Sequence, residues 1–193
     1  MESVICVILA GGQSRRMGRD KAALPLGRET FLSRLIGAYG PYFPVYVSLG
    51  QPGKFPHPGA GELVDRRPGE GPLAGLETAF LETEAELVFL TATDLPFGAP
   101  ALARTLLERI GDRDACLIRR WNGKPEPAFG IYRRTCLEPV QALLDQGRRA
   151  MQGLYGRVRV EWVEEAALPD FDLTRLLWNI NTPEDYEKAE KLL

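Results

Sequence analysis

The chain has 193 residues, 45% hydrophobic and 26% charged, with 24 basic against 26 acidic side chains and a formal net charge of −2. That length buries a full core without cross-links and predicts one domain. The charge balance excludes bulk nucleic-acid binding, which needs a clear basic excess, so any anion site is local. Cys6, Cys116 and Cys136 are odd in number and widely spaced, with no C-x-x-C. They argue for buried thiols and against a disulfide framework or a zinc site. No apolar run reaches the ~18 residues of a membrane span, and the N-terminal run lacks a basic flank. A cytoplasmic protein with no membrane or nucleic-acid partner is expected.

Residues 4–9 (VICVIL) are apolar throughout and β-branched, as befits a strand buried on both faces. Residues 30–39 (TFLSRLIGAY) set Phe31, Leu32, Leu35 and Ile36 on one helical stripe behind Thr30, a good N-cap. A second strand is predicted over 44–49, and a loop over 51–61, where prolines and glycines cluster. A short strand at 62–64 leads to Asp65. Then come a helix over 72–81, a buried strand over 86–91 (ELVFLT) and a helix over 100–110. Strands follow at 115–119 and 128–132, a helix at 135–144 and a strand at 158–163. A terminal helix over 183–193 has Thr182 as cap, Pro183 in its first position, and Glu184 and Asp185 at its positive end. This order predicts a three-layer α/β/α fold around a mostly parallel sheet. A break near 120–127 divides the single domain into halves of about 1–120 and 121–193.

In open α/β sheets, ligands bind beyond the carboxyl ends of the strands. Three stretches fall at such ends. In "LAGGQSRRMGRDK" (9–21), Gly11 and Gly12 have no Cβ, so the backbone turns sharply and its N–H groups can approach an anion. Arg15, Arg16, Arg19 and Lys21 add positive charge. A phosphate chain suits this loop; so does a plain turn with a solvated basic face. Neither G-x-x-x-x-G-K-[ST] nor G-x-G-x-x-G is present. In "VDRRPGEGPLAGLETAF" (64–80), Asp65 precedes a loop poor in side chains, where a flat base can lie against backbone. The plainer role for Asp65 is to stabilise the loop. In "LVFLTATDLPF" (87–97), Asp94 stands at the tip of a buried strand, as a ligand for Mg²⁺ or as a helix N-cap. Asn179 and Asn181, in "WNINTPEDYEKAEKLL" (178–193), are expected where a strand passes into a helix. There they support a ligand or cap the helix. His57 is expected in a surface loop.

Taken together, these stretches resemble the molybdenum cofactor guanylyltransferase family of nucleotidyltransferases. The likeness rests on L-A-G-G at 9–12, R-M-G at 16–18, D-K-A at 20–22, G-P-L-A-G at 71–75, D-L-P-F at 94–97 and N-I-N-T-P-E-D at 179–185. Residues 122–134 and 147–154 also fit the family's later segments. The resemblance implies a Rossmann-like nucleotidyltransferase fold. It implies transfer of GMP from GTP to the terminal phosphate of molybdopterin, with Mg²⁺ as cofactor and pyrophosphate released. By the same resemblance, Leu9, Ala10, Gly11, Gly12, Lys21, Asp65, Gly71, Pro72, Leu73 and Asp94 contact the nucleotide. Arg16, Lys21 and Asp94 act in catalysis, Asp94 holds the metal, and Asn179 and Asn181 support the metal or the acceptor. Whether Asp65 meets the base or the ribose stays open, as does whether Gln51 replaces a family asparagine near the ribose. Arg148 and Arg149 either meet the acceptor or form a solvated face. Transient contact with molybdoenzymes or other cofactor-biosynthesis proteins is a further expectation.

The rival readings are a cytidylyltransferase on the same cofactor, a sugar-nucleotide pyrophosphorylase, and a non-catalytic GTP-binding regulator. The first carries L-A-A-G and lacks G-P-L-A-G, the second is usually longer, and the third would lack Lys21 or Asp94.

Overall fold

The computed structural model describes residues 2–11 and 20–192. In chain order, β1 (Val4–Leu9) is followed by a hairpin of β2 (Pro25–Leu26) and β3 (Glu29–Thr30), then α1 (Phe31–Tyr39), β4 (Val45–Leu49) and β5 (Gly61–Val64). Next come α2 (Pro72–Glu82), β6 (Leu87–Ala92), α3 (Pro100–Arg109), β7 (Ala115–Arg119) and β8 (Pro125–Arg133). The chain continues with α4 (Leu137–Asp145), α5 (Gln152–Tyr155), β9 (Val160–Glu164), α6 (Leu173–Leu176) and α7 (Pro183–Glu190). Seven strands form one sheet in the order β5-β4-β1-β6-β8-β7-β9. All its pairings are parallel except those of β8, which runs antiparallel to both β6 and β7. The mostly parallel α/β/α architecture is thus as expected.

The continuous apolarity of β1 has its cause in the layers. Cys6 and Ile8 pack under α1 and α3, through Leu32, Leu35, Leu102 and Leu106. Ile5 and Val7 point the other way, toward Leu73 and Leu76 of α2 and Val140 and Leu143 of α4. A strand covered on both faces has no polar side to alternate. A third, smaller core joins Leu24, Leu26 and Phe31 to Phe97, Ile180 and Ala189, and so seats α7 on the hairpin. Tyr186 completes it by donating its hydroxyl proton to Pro25 O at 2.7 Å.

Several elements differ from expectation, the short α5 and α6 among them, which were not foreseen. β8 starts at Pro125, not at 128. A turn with Gly123 at φ 75° and Arg120 N–H bonded to Lys124 O extends the hairpin with β7 through the prolines. The hairpin at Gly27 (φ 68°) was too short to leave a hydrophobic period. Residues 178–182 are coil after the four-residue α6, so Asn179 and Asn181 do not follow a strand. The Ile180 N–H is spent on Asp94 O at 2.9 Å, not on a ladder. Among the described residues no helix is long and apolar enough to cross a membrane.

Candidate active site

The carboxyl ends of β1, β4, β5 and β6 are laced together one residue beyond the strands. Ala10 N–H bonds Ser48 O, Asp65 N–H bonds Leu49 O, and Thr93 N–H bonds Leu9 O, at 3.0, 2.8 and 3.1 Å. Beyond them opens a cleft of about 860 Å³ whose walls include Leu9, Gly11, Lys21, Asp65, Gly71, Pro72 and Asp94. With Gln51 and Arg149, which also line it, nine of the residues singled out from sequence therefore meet in one place. Ala10 and Leu73 contribute no side chain to it: they are 2% and 0% exposed. The Ala10 N–H is also used by the sheet, whereas that of Leu73 lies in the first turn of α2, where no helical carbonyl can take it. Gly12, Arg15, Arg16 and Arg19 lie outside the described residues.

At one end of the cleft, Asp65 takes the Ser48 hydroxyl proton on Oδ1 at 2.5 Å. Burial raises its pKa, and the Ser48 bond opposes that rise. Its Oδ2 faces Gly11: a Cβ there would lie 3.3 Å from Oδ2 and 3.4 Å from Gly50 N. The loop that follows is fixed at both ends. Arg67 pairs with buried Glu77 of α2 at 3.1 Å and with Asp145 of α4 at 2.8 Å. Gly71 then takes φ 78°, ψ −163°, a region open essentially to glycine alone, and Pro72 starts α2 with a fitting φ. Glu70 binds Arg149 through two bonds of 2.5 and 2.6 Å, which draws the segment after α4 over the cleft.

At the other end, Lys21 opens a 3-10 turn capped by Asp20, whose carboxylate is paired with Lys54 at 2.6 Å. Lys21 Nζ donates to Asn181 Oδ1 at 2.5 Å. Its charge also acts on Asp94. Burial pushes the Asp94 carboxyl up, and the Lys21 ammonium pulls it back. Asp94 Oδ1 is buried and has no hydrogen-bond partner among the described residues. Asn179 does not line the cleft. Burial and then the Asp94 charge push Glu126 up to about 7.

Several of these groups left little trace in the sequence. Ser48 and Lys54 carry no motif, Glu70 reads as a solvated loop residue, and Glu126 sits in a K-P-E-P run that looks like a turn. His57 is in the loop as expected, with Nδ1 against Phe55 O at 2.6 Å. All three cysteines are buried and unbridged.

Residues 6–160 match the model of the MobA-like NTP transferase domain. The chain belongs to this family. It is a nucleotidyltransferase by descent, and its relatives extend the match over the full chain. It is 35% identical over 193 residues to the probable molybdenum cofactor guanylyltransferase of Carboxydothermus hydrogenoformans, covering 100% of this chain and 98% of that one. It is 32% identical over 198 residues to the molybdenum cofactor guanylyltransferase of Desulfosudis oleivorans, covering 98% and 96%. The fold matches the molybdopterin-guanine dinucleotide biosynthesis protein A of Archaeoglobus fulgidus with TM-score 0.84 at 24% identity, over 98% and 97% of the two chains. A more distant fold match is the 2-C-methyl-D-erythritol 4-phosphate cytidylyltransferase of Thermus thermophilus, with TM-score 0.71 at 22% identity over 98% of each chain.

Proposed function

We propose that the chain transfers GMP from GTP to the terminal phosphate of molybdopterin, forming the guanine dinucleotide cofactor and releasing pyrophosphate. The observation that carries this reading is one cleft lined by Asp65, Gly71, Pro72, Lys21 and Asp94, in which we assign the first three to the nucleoside and the last two to the phosphates. The naming of the full-length relatives supports the choice of guanine.

Nucleotidyl transfer needs alignment and charge neutralisation more than covalent chemistry. Asp65 accepts donors from the nucleoside, either guanine N1–H and its 2-amino group or the ribose hydroxyls. The Leu73 N–H at the start of α2 offers a donor beside it. The backbone of Gly11 and Gly12, with Arg16, cradles the β- and γ-phosphates. Lys21 neutralises charge on the α-phosphate and on the leaving pyrophosphate. An oxygen of the acceptor phosphate supplies the electron pair to the α-phosphorus. The bridging oxygen leaves with the bond it held, so no protein nucleophile takes part. We assign nucleotide binding to about 1–120 and acceptor binding to about 121–193, with Asn181 reaching back from the second half to Lys21.

Magnesium fits this site through Asp94, whose buried Oδ1 lacks a partner. No cluster of three or more His, Cys, Asp or Glu ligands occurs among the described residues. Mg²⁺ does not need one: it takes one or two carboxylates and completes its shell with phosphate oxygens and water. When bound, it would offset phosphate charge and make the α-phosphorus more electrophilic. We place the reaction in the cytoplasm, where three unbridged thiols stay reduced.

The test supplies the protein with each nucleoside triphosphate in turn, Mg²⁺ and molybdopterin, and follows labelled nucleotide into the pterin product. GMP transfer is expected. CMP transfer in its place overturns the reading, and GTP binding with no transfer points to a regulator.

A further inference from the structure

Lys54 has no part in the mechanism above, yet it lines the cleft together with Lys21. It comes from the loop between β4 and β5, and that loop is held in several places. Gly53, at φ 63°, donates its N–H to Glu62 Oε2 of β5 at 2.9 Å. His57 Nε2 lies 3.6 Å from the same oxygen, and the Ala60 N–H bonds His57 O at 3.1 Å. Phe55 packs on the core under α1 and α3. The Lys54 ammonium stands 4.9 Å from the centre of the Phe55 ring, a placement that favours a cation.

From this anchored loop the ammonium reaches Asp20. Lys54 Nζ is 2.6 Å from Asp20 Oδ2, and the two side chains are 33% and 27% exposed. The other carboxylate oxygen, Oδ1, accepts the Ala22 N–H at 3.4 Å and caps the 3-10 turn that opens with Lys21. One carboxylate is thus shared between the Lys21 turn and a cation from a separate loop. Asp20 is the chain neighbour of the ammonium assigned to the phosphates. A bare carboxylate in that position repels a polyanion. With Lys54 on Oδ2 the pair is neutral, and Asp20 keeps its capping role. An ion pair this exposed adds little to folding stability, so its effect falls on the field in the cleft.

We propose that Lys54 is a positioning residue for the triphosphate: it holds the Asp20 carboxylate and cancels its charge, so that the Lys21 turn meets the phosphates without repulsion. This rests on the phosphate role given to Lys21 above. It gives the loop between β4 and β5 a part in nucleotide binding that acts through charge and not through base or ribose.

The test measures binding of GTP and of inorganic triphosphate, each with Mg²⁺ and without acceptor, by isothermal titration calorimetry. Lys54→Met keeps the stem over Phe55 and removes the charge. It is expected to weaken both ligands about tenfold, the scale of one partly screened charge contact. Lys54→Arg keeps the charge and stays close to the parent. Asp20→Asn keeps a good cap and removes the anion, so adding it to Lys54→Met restores tight binding. A purely structural role for Lys54 would not be relieved by removing the charge of its partner. In turnover, Lys54→Met raises KM for GTP and leaves kcat near that of the parent, and thermal melts of all the variants stay close together. If Lys54→Met binds both ligands like the parent, or if Asp20→Asn does not restore its binding, the inference is overturned. A different nucleoside triphosphate bound in place of GTP, with the same pattern on inorganic triphosphate, overturns the guanine reading and leaves the role of Lys54 standing. A parent that binds neither inorganic triphosphate nor any nucleoside triphosphate overturns both. Should Lys54→Met not fold, Lys54→Gln takes its place with the same expected results.

Discussion

Lys21 and Asn181 lie 160 positions apart and share a hydrogen bond of 2.5 Å. The Lys21 charge also acts on Asp94, so side chains from three segments are coupled here. Lys21→Ala and Asp94→Ala are each expected to cut kcat by about a hundredfold or more, with the circular dichroism unchanged. Near-full GMP transfer by either variant would refute its assigned role. Asn181→Ala removes the Oδ1 acceptor from Lys21. Its expected cost is about 10- to 100-fold in kcat, with little change in KM for GTP, read in a steady-state assay. At this scale the sequence was informative wherever a residue ended a strand inside a motif, as with Asp65 and Asp94. It was silent on Ser48, because what gives it its importance is the side chain it faces, Asp65, not its neighbours in the chain.

At the scale of elements, the start of α2 shows how closely a helix is fitted to the strand ends. Gly75 packs so close that a Cβ would lie 2.4 Å from Leu9 Cδ2 and 2.9 Å from Ser48 Oγ. Gly75→Ala is therefore expected to cost about 1–3 kcal/mol, and Gly71→Ala, at φ 78°, a similar ~1–3 kcal/mol. At Gly50 a Cβ meets nothing within 4 Å, so Gly50→Ala should stay within about 0.5 kcal/mol of the parent. Urea unfolding of the three variants checks the order. The strands of the parallel core and the long helices were legible, since burial on both faces and a helical stripe each leave a period in the sequence. β8 was read short because its prolines look like a break. Asn179 and Asn181 were expected where a strand passes into a helix, yet residues 178–182 are coil and the Ile180 N–H serves Asp94 O beyond β6.

For the whole molecule, the sheet and its two cores enclose all three thiols. Burial pushes Cys116 and Cys136 up to about 12, and Cys6 up as well. An aromatic disulfide reagent at pH 8 should find no reactive thiol in the native protein and three after unfolding in guanidinium. Fast reaction of a native thiol would contradict this packing. Acid stability has a structural handle in Asp114, which ties β7 to the start of β9. Slight burial works to raise its pKa, but the Arg159 N–H, the Thr135 hydroxyl and the Arg159 guanidinium outweigh it and lower it below 3.8. A lowered carboxylate contributes stability above its unfolded value and loses it as pH falls through the folded one. Asp114→Asn should thus be less stable than the parent near neutral pH and lose less on acidification below about pH 4, as measured by melts across that range.

The sequence alone was enough for the layered α/β class, the helix and strand order of the parallel core, and the four motif stretches that mark the family. These depend on local period, composition and spacing, which the chain carries along its own length. Which groups stand face to face required the tertiary structure. The antiparallel return of β8 sets Ile131 opposite Phe89, and the small core under α7 brings Asn181 to Lys21. Such pairings follow from strand register and from where a distant segment docks, and contacts across a fold leave no period in the sequence.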